Sequence, residues 1–252
     1  MTSVDQLRVK IFADGADFDG MVKMYANPQI RGFTTNPTLM RKAGVADYEA
    51  FARKVLKTIS DRPVSFEVFA DDFETMEQQA LAIASWAPNV NVKIPVTNTK
   101  GEFAGPLIKR LSDAGVVVNV TALFTLSQVE RVVDCLHSNT AALVSVFAGR
   151  VADTGVDPVP VMAEAVNLLK AKPKAELIWA SPREVLNIVQ AHEVGCHIIT
   201  VTNDMIAKLA LLGKNHDRYS LETVEMFYRD AKSAGYSIDP TATNAAPRIA
   251  AV

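Results

Sequence analysis

The chain has 252 residues, with 26 basic and 28 acidic side chains and a formal net charge of −2. At this length, and with 49% hydrophobic residues, it can bury a large core in one domain without disulfides or a structural metal. The nearly balanced charge argues against a broad surface for nucleic acid or anionic membranes, so neither partner is expected.

The cysteines and the N-terminal residues indicate a cytoplasmic protein. The two cysteines, Cys135 and Cys196, do not form a C-x-x-C pair, so neither a disulfide framework nor a zinc knuckle is predicted. The opening residues MTSVDQLRVKIFADG lack the long apolar region and the cleavage site of a secretory signal. No run approaches the roughly 18 uncharged apolar residues of a membrane span. We therefore expect a cytoplasmic location.

Short apolar runs alternate with segments of helical periodicity along the chain. The runs are rich in β-branched and aromatic residues, which favours strands. They cover residues 8–14, 30–36, 64–70, 90–96, 116–122, 142–148, 176–181 and 197–202. Helices are predicted over residues 73–86 and 182–194, the second with Pro182 in its first turn and its end at Gly195. A last helix is predicted near residues 220–234.

Eight successive β–α units predict an α/β fold, a single-domain (β/α)₈ TIM barrel with a C-terminal helix. The main alternative is an open sheet of the Rossmann or flavodoxin type. No G-x-G-x-x-G follows the first strand and no G-x-x-x-x-G-K-[ST] occurs, which counts against that alternative. We predict a barrel domain over residues 1–237 and a flexible tail over residues 238–252.

Several predicted strands are apolar on one face and polar on the other. Side chains alternate along a strand, so Lys93 points to one face of the fourth strand, and Val92 and Ile94 point to the other. Protein covers both faces of a barrel strand, so polar residues there need an explanation. If the apolar faces meet the helices, the polar faces converge inside the barrel, toward the rim where active sites of this fold lie. The residues predicted to converge are Lys93, Glu67, Asn119, Thr121 and Ser145, joined at the rim by Asp14 and Asn36.

A lysine in a water-poor barrel interior is suited to covalent catalysis. Desolvation favours its neutral amine, which can attack a ketone and form an imine. Glu67 could then shuttle protons, and Asp14 could accept a hydroxyl proton as a carbon–carbon bond breaks. The alternative is a buried salt bridge between Lys93 and Glu67 with a purely structural role.

Three residues after the sixth and seventh strands predict an anion site. Arg150 follows the sixth strand, and Ser181 and Arg183 follow the seventh, at the start of a predicted helix. Two guanidinium groups, a hydroxyl and a helix N-terminus could together bind a phosphate. The alternative is that each arginine is a solvated charge at the rim.

No metal site is predicted. His192, Glu193 and His197 form H-E-x-x-x-H, with the two histidines five residues apart and Gly195 between them. A zincin needs two histidines four apart on one helix face.

Six segments in series resemble the transaldolase family, and the resemblance extends from FADG to about Lys208. They are TTNPTL (34–39), the glutamate of SFEVFA (65–70), VKIPVT (92–97), NVTALFT (119–125), SVFAGR (145–150) and ASPR (180–183). The resemblance implies a barrel enzyme that transfers a dihydroxyacetone unit from a ketose phosphate to an aldose phosphate. It also implies a homo-oligomer, sugar phosphates as small-molecule partners, and no metal or organic cofactor.

The resemblance also implies individual roles. Lys93 would form the Schiff base and Asp14 would act as acid and base. Glu67 would position the catalytic water, which Thr121 would hold. The residues implied to bind substrate are Asn36, Asn119 and Ser145 for its hydroxyls, Arg150, Ser181 and Arg183 for its phosphate, and Phe147 as the aromatic beside the site.

Departures from the family pattern leave alternatives open. The fructose-6-phosphate aldolases, a related branch that releases dihydroxyacetone, have Gln and Tyr where this chain has Glu67 and Phe147, which favours a transferase. Val146 and Pro182 replace the Pro and Phe that are common beside the anion site, so a sulfonate in place of phosphate stays open. The remote alternative is a non-catalytic barrel that binds a sugar phosphate.

Overall fold

A computed structural model describes residues 4–239. Eight parallel strands close into a barrel in chain order, β1 to β8, and the last strand pairs with the first. The predicted (β/α)₈ barrel is therefore confirmed. The strands are β1 Lys10–Asp14, β2 Ile30–Thr34, β3 Val64–Glu67, β4 Val90–Pro95, β5 Val118–Leu123, β6 Ala142–Val146, β7 Ala175–Trp179 and β8 Ile198–Val201.

Eleven α-helices occur within residues 4–239, and they are interleaved with the strands. They are α1 Phe18–Tyr25, α2 Pro37–Lys42, α3 Tyr48–Thr58, α4 Phe73–Ala84, α5 Gly105–Asp113, α6 Leu126–Cys135, α7 Ala148–Asp153, α8 Pro158–Leu169, α9 Leu186–Glu193, α10 Asn203–Lys208 and α11 His216–Ser233. None of these helices combines the length and the apolar character that a bilayer crossing needs.

The alternation predicted for the strands decides which side chains pack against the helices. In β4, Val92 and Ile94 are fully buried in the main hydrophobic cluster, together with helix residues such as Leu107 of α5. The intervening Lys93 is buried too, but it lines an interior cavity. The apolar faces therefore stabilise the barrel against its helices, and the polar faces are left for the interior.

Several strands end earlier than predicted because the chain turns into the rim loops. Residues 30–36 were expected to be extended, but β2 ends at Thr34. Asn36 caps α2, and its side-chain oxygen accepts a hydrogen bond of 2.9 Å from the backbone N–H of Leu39. Phe147, predicted inside the sixth strand, instead precedes α7 as its N-cap residue.

The start predicted for the helix over residues 182–194 is wrong, because the observed helix begins later and Pro182 lies before its first turn. Ser181 has φ +61°, a left-handed conformation that breaks the path of the backbone into a helix. The Asn187 side chain instead accepts hydrogen bonds from the backbone N–H groups of Arg183 and Glu184. The helix, α9, therefore begins at Leu186.

The chain forms two compact units, which divide after Leu212. The barrel belongs to the first. In the second, α11 begins at His216, earlier than the predicted residue 220, because Asn215 caps it by accepting from the backbone N–H of Arg218. The proposed boundary between a domain of residues 1–237 and a tail of residues 238–252 stays a prediction, since residues 240–252 lie outside the described part.

Candidate active site

A cavity of about 500 Å³ lies at the C-terminal ends of the barrel strands. Active sites of this fold are built at this end. All eleven residues singled out from the sequence line it: Asp14, Asn36, Glu67, Lys93, Asn119, Thr121, Ser145, Phe147, Arg150, Ser181 and Arg183. They come from strands or loops all around the barrel, so the structure brings together residues that are far apart in the chain.

Lys93 is held in the barrel interior by two oxygen atoms. Its Nζ lies 3.1 Å from Oε2 of Glu67, the residue beside it in the β3–β4 register, and donates to the backbone oxygen of Thr35 at 2.9 Å. Only 7% of Lys93 is exposed. A nitrogen fixed in this way faces the cavity with little water around it, which suits an amine that must attack a bound carbonyl.

Asp14 lies near Lys93 at the end of β1 and receives hydrogen bonds of its own. The Thr34 hydroxyl donates to its Oδ1 at 2.7 Å, and the Asn36 amide lies 3.5 Å from its Oδ2. Because the proton of Thr34 goes to Asp14, the Thr200 hydroxyl is the donor in the contact between the two threonines. These contacts fix the orientation of the Asp14 carboxyl group.

Burial raises the pKa of Asp14 above its ordinary value. Desolvation is the largest cause, and the negative charge of Glu67 adds to it. The Thr34 hydrogen bond and the positive charge of Lys93 act in the opposite direction. A carboxyl group with a raised pKa is a stronger base once ionised, which suits a residue that takes a proton from a hydroxyl group.

A chain of hydrogen bonds crosses the buried side of the cavity. Ser145 donates to Oδ1 of Asn119 at 2.7 Å, and the Asn119 amide donates to the Ser65 hydroxyl at 3.1 Å. All three residues are buried. The hydroxyl of Thr121 is also buried on the cavity wall and makes no hydrogen bond with any described residue. It is therefore available to hold a water molecule or a substrate group.

The cationic side of the cavity is formed by helix α7, which follows β6, and by the loop after β7. The Arg150 guanidinium lies 4.9 Å from the centre of the Phe147 ring. Arg183 is bound by both carboxylate oxygens of Asp153, with an Nε–Oδ1 distance of 2.9 Å. Because α9 begins at Leu186, the helix N-terminus predicted beside Ser181 is absent from this side of the cavity.

Close backbone packing joins these two segments. A Cβ at Gly149 would lie 1.5 Å from the Ser181 carbonyl oxygen, so helix α7 can approach Ser181 only with glycine there. Ser181 itself has φ +61°, which is strained for a residue with a side chain. The packing thus holds Ser181 and Arg150 at one edge of the cavity.

Four polar residues that line the cavity were not predicted from the sequence: Thr34, Thr38, Lys42 and Thr200. Thr34 and Thr200 could have been found by applying the same alternation to β2 and β8, where each threonine shares the inward face of its strand. Lys42 lies at the end of α2 and gave no comparable signal.

A tyrosine outside the cavity holds the backbone of Glu67. The pairing of β3 with β2 ends at Ser65, so β2 gives no ladder partner to Glu67. The Tyr48 hydroxyl accepts from the N–H of Glu67 at 2.7 Å and donates to its C=O at 3.0 Å. Its ring packs edge-on against Phe66 and Trp86. Tyr48 therefore fixes the end of β3 that carries the partner of Lys93.

Replacing Tyr48 by phenylalanine is expected to destabilise the fold by about 1–3 kcal/mol, because two backbone groups of Glu67 lose their partner. The ring packing would be kept. We expect kcat to fall by about tenfold as the carboxylate of Glu67 loses its fixed position. Denaturant unfolding and steady-state kinetics measure the two effects.

The matched control is Tyr25→Phe. Its hydroxyl bonds to Asp61 on the surface, where water can replace the lost contact. Tyr25→Phe should change neither quantity. Equal effects of the two substitutions would show that Tyr48 has no particular role in placing Glu67.

The geometry combines an amine, two carboxyl groups, a set of hydroxyl and amide groups, and a cationic edge in one cavity. Such a set can bind a polar carbon chain with an anionic end, form an imine and move protons. Within residues 4–239, no group of three or more His, Cys, Asp or Glu side chains is placed to hold a metal ion.

The chain is similar to known proteins over most of its length. Residues 11–247 match the family model described as "Transaldolase/Fructose-6-phosphate aldolase". A Dehalococcoides mccartyi protein named "Probable transaldolase" is 35% identical over 202 residues, which cover 80% of this chain and 90% of that protein. A Listeria monocytogenes protein named "Probable transaldolase 2" is 34% identical over 202 residues, which cover 80% of this chain and 88% of that protein.

Solved structures of lower similarity share the fold. One described as native KDPGal has a TM-score of 0.52 and 11% sequence identity, and the match covers 79% of this chain and 84% of that chain. At this identity the likeness extends to the barrel and not to the chemistry.

Proposed function

The chain belongs to the transaldolase/fructose-6-phosphate aldolase family, whose members are enzymes, and on that premise we propose that it is a transaldolase acting through a Schiff base on Lys93. It would transfer a dihydroxyacetone unit from a ketose phosphate, such as sedoheptulose 7-phosphate or fructose 6-phosphate, to an aldose phosphate. The observation that carries the proposal is a buried lysine that pairs with Glu67 in the rim cavity, which Asp14 also lines.

The first half of the reaction would cleave the donor. The Lys93 amine adds to the ketone, and loss of water gives a protonated imine. Asp14 takes the proton of the hydroxyl on the β carbon, the bond between the α and β carbons breaks, and its electrons pass to the imine nitrogen. An aldose phosphate leaves, and an enamine of dihydroxyacetone stays on Lys93.

The second half would reverse these steps with an acceptor. The enamine carbon attacks the acceptor aldehyde, and Asp14 returns its proton to the new hydroxyl group. Water then adds to the imine and the product ketose leaves, which restores the amine. Glu67 lies 3.1 Å from Lys93 Nζ, where it can position that water, and the free hydroxyl of Thr121 can hold it.

The choice between transferase and aldolase depends on the fate of the enamine. With fructose 6-phosphate and erythrose 4-phosphate, we expect sedoheptulose 7-phosphate to form. With fructose 6-phosphate alone, release of dihydroxyacetone should be at least about tenfold slower. Faster release of dihydroxyacetone would identify an aldolase. Failure of both reactions, with sugar phosphate still bound and binding unaffected by Lys93→Ala, would point to the non-catalytic barrel.

Arg150 is proposed to bind the anionic end of the substrate. Arg150→Ala should raise KM for fructose 6-phosphate by about 10- to 100-fold, the loss expected for a charge-assisted hydrogen bond. The kcat should change less, because the phosphate does not react. Initial rates over a range of donor concentrations measure both.

Arg110→Ala is the matched control for this substitution. Arg110 is a helix arginine that pairs with Glu77 and lies outside the cavity. The same rates with a donor that carries a sulfonate in place of the phosphate would test which anion is preferred. An unchanged KM in Arg150→Ala for both donors would remove Arg150 from the anion site.

The cytoplasmic location and the homo-oligomer stay predictions.

A further inference from the structure

A second cavity, of about 260 Å³, lies at the opposite, N-terminal end of the barrel. Its walls are formed by the first residues of several strands, including Lys10 of β1, Asn91 of β4 and Glu176 of β7. The proposed reaction uses none of these side chains. At this size the cavity is slightly smaller than the roughly 300–1,000 Å³ of sites for drug-sized ligands, so it fits a compact molecule.

Asn91 is the buried polar residue of this cavity. It is only 6% exposed, and its side-chain amide makes no hydrogen bond with any residue that the structure describes. The amide is not enclosed by protein, because it borders the cavity. A molecule bound in the cavity can therefore form hydrogen bonds with it.

The charged residues around Asn91 are mostly cationic. Lys10, Arg31 and Lys174 line the cavity, against a single acid, Glu176. Glu176 is already paired with Lys10 at 2.6 Å. Lys174 donates only to a neutral carbonyl, that of Asn139, and Arg31 has no polar partner among the described residues. Two positive charges are therefore uncompensated, although the chain as a whole has a net charge of −2.

A packed layer separates this cavity from the catalytic one. Phe12, Leu143, Ile178, Ala180 and Ile198 form a separate hydrophobic cluster inside the barrel, and Phe147 packs against it. Phe12 and Leu143 line the N-terminal cavity, whereas Ala180 and Phe147 line the catalytic one. A Cβ at Gly32 would lie only 2.5 Å from the Phe12 ring, so the ring occupies the space that a side chain at position 32 would need. Phe12 therefore fills the barrel between the two cavities.

We propose that the N-terminal cavity is a second binding site, for a compact molecule carrying a phosphate or carboxylate group. The anion would lie between Arg31 and Lys174 and bond to the Asn91 amide, with the apolar part against Phe12 and Val117. Arginine and lysine donors recognise such oxyanions through charge-assisted hydrogen bonds. The site does not depend on the proposed transaldolase activity.

Calorimetric titration with inorganic phosphate at constant ionic strength tests the site. The variant Arg150→Ala/Arg183→Ala removes the cationic edge of the catalytic cavity and should still bind one phosphate per chain. Adding Arg31→Ala to it should weaken this binding by about tenfold or more, as should Asn91→Leu. The control is to add Arg53→Ala, at an arginine that pairs with Glu49 on the surface, and this change should leave phosphate binding unaltered.

Arg31 is exposed, so its replacement leaves the fold intact even if Asn91→Leu does not fold. In phosphate-free buffer, Arg31→Ala should leave the steady-state turnover unchanged. Absence of saturable phosphate binding in the Arg150→Ala/Arg183→Ala variant would overturn the proposal. Binding that persists unchanged after Arg31→Ala would overturn it as well.

Discussion

Replacing Lys93 by methionine is expected to lower kcat/KM by about 10⁴-fold or more, because Lys42, the other lysine on the cavity wall, is exposed and cannot take the buried position of Lys93. Methionine keeps most of the side-chain volume and removes the amine. It also leaves Glu67 in a largely buried position without its cation, so some loss of stability is expected. Steady-state rates at saturating acceptor, together with circular dichroism, separate the loss of chemistry from loss of fold.

The control for this substitution is Lys10→Met. Lys10 is also a strand lysine paired with a glutamate, Glu176 at 2.6 Å, but it lies at the N-terminal end of the barrel. Its loss should leave kcat/KM within a few-fold of the original value. If Lys93→Met kept more than a few per cent of the activity while Lys10→Met lost it, Lys93 would not be the lysine that forms the covalent intermediate.

Replacing Asp14 by asparagine is expected to lower kcat by about 10²- to 10⁴-fold, the usual contribution of a general base. Asparagine can still accept the hydrogen bond from Thr34, so the local structure should be kept. In the unmodified enzyme, kcat should fall as the pH falls through the raised pKa of Asp14, because the protonated carboxyl group cannot accept a proton. Rate measurements from acid to neutral pH show whether this limb disappears in the variant.

Asp14→Asn should also stabilise the fold at neutral pH. A carboxyl group whose pKa is raised in the folded state contributes stability below its unfolded pKa, and this contribution is lost as the pH rises through the folded pKa. The variant cannot ionise, so its gain in Tm should be present at pH 8 and shrink toward pH 4. Asp72→Asn is the control, at an exposed helix cap where hydrogen bonds from Thr75 lower the pKa of the carboxyl group, and it should show no gain in Tm at pH 8. A loss of stability at pH 8 would contradict the assigned cost of burying Asp14.

Much of the fold and of the site could be predicted because strand alternation is a strictly local rule. Once Val92 and Ile94 are assigned to the helix-facing side, Lys93 must point inward, and the barrel closes Glu67 and Asn119 around it. The polar residues then had only one place to meet. The same rule extends to Thr34, which donates to Asp14, and to Thr200, which contacts Thr34.

Other parts of the site depend on contacts between distant segments, which no local pattern reveals. Tyr48 reads as an ordinary aromatic helix residue, yet its hydroxyl bonds to both backbone groups of Glu67. Asp153 pairs with Arg183 only because the end of α7 meets the loop after β7. Pro182 resembled a first-turn proline, but the left-handed Ser181 before it prevents a helix there.

The proposed mechanism requires a covalent bond at Lys93, and reductive trapping tests for this bond directly. The enzyme is incubated with fructose 6-phosphate, reduced with borohydride, digested and analysed by mass spectrometry. We predict a dihydroxyacetone-derived mass increase on the peptide that contains Lys93, and none in Lys93→Met. An active enzyme that gains no mass on that peptide, or that is modified at another lysine, would contradict the account.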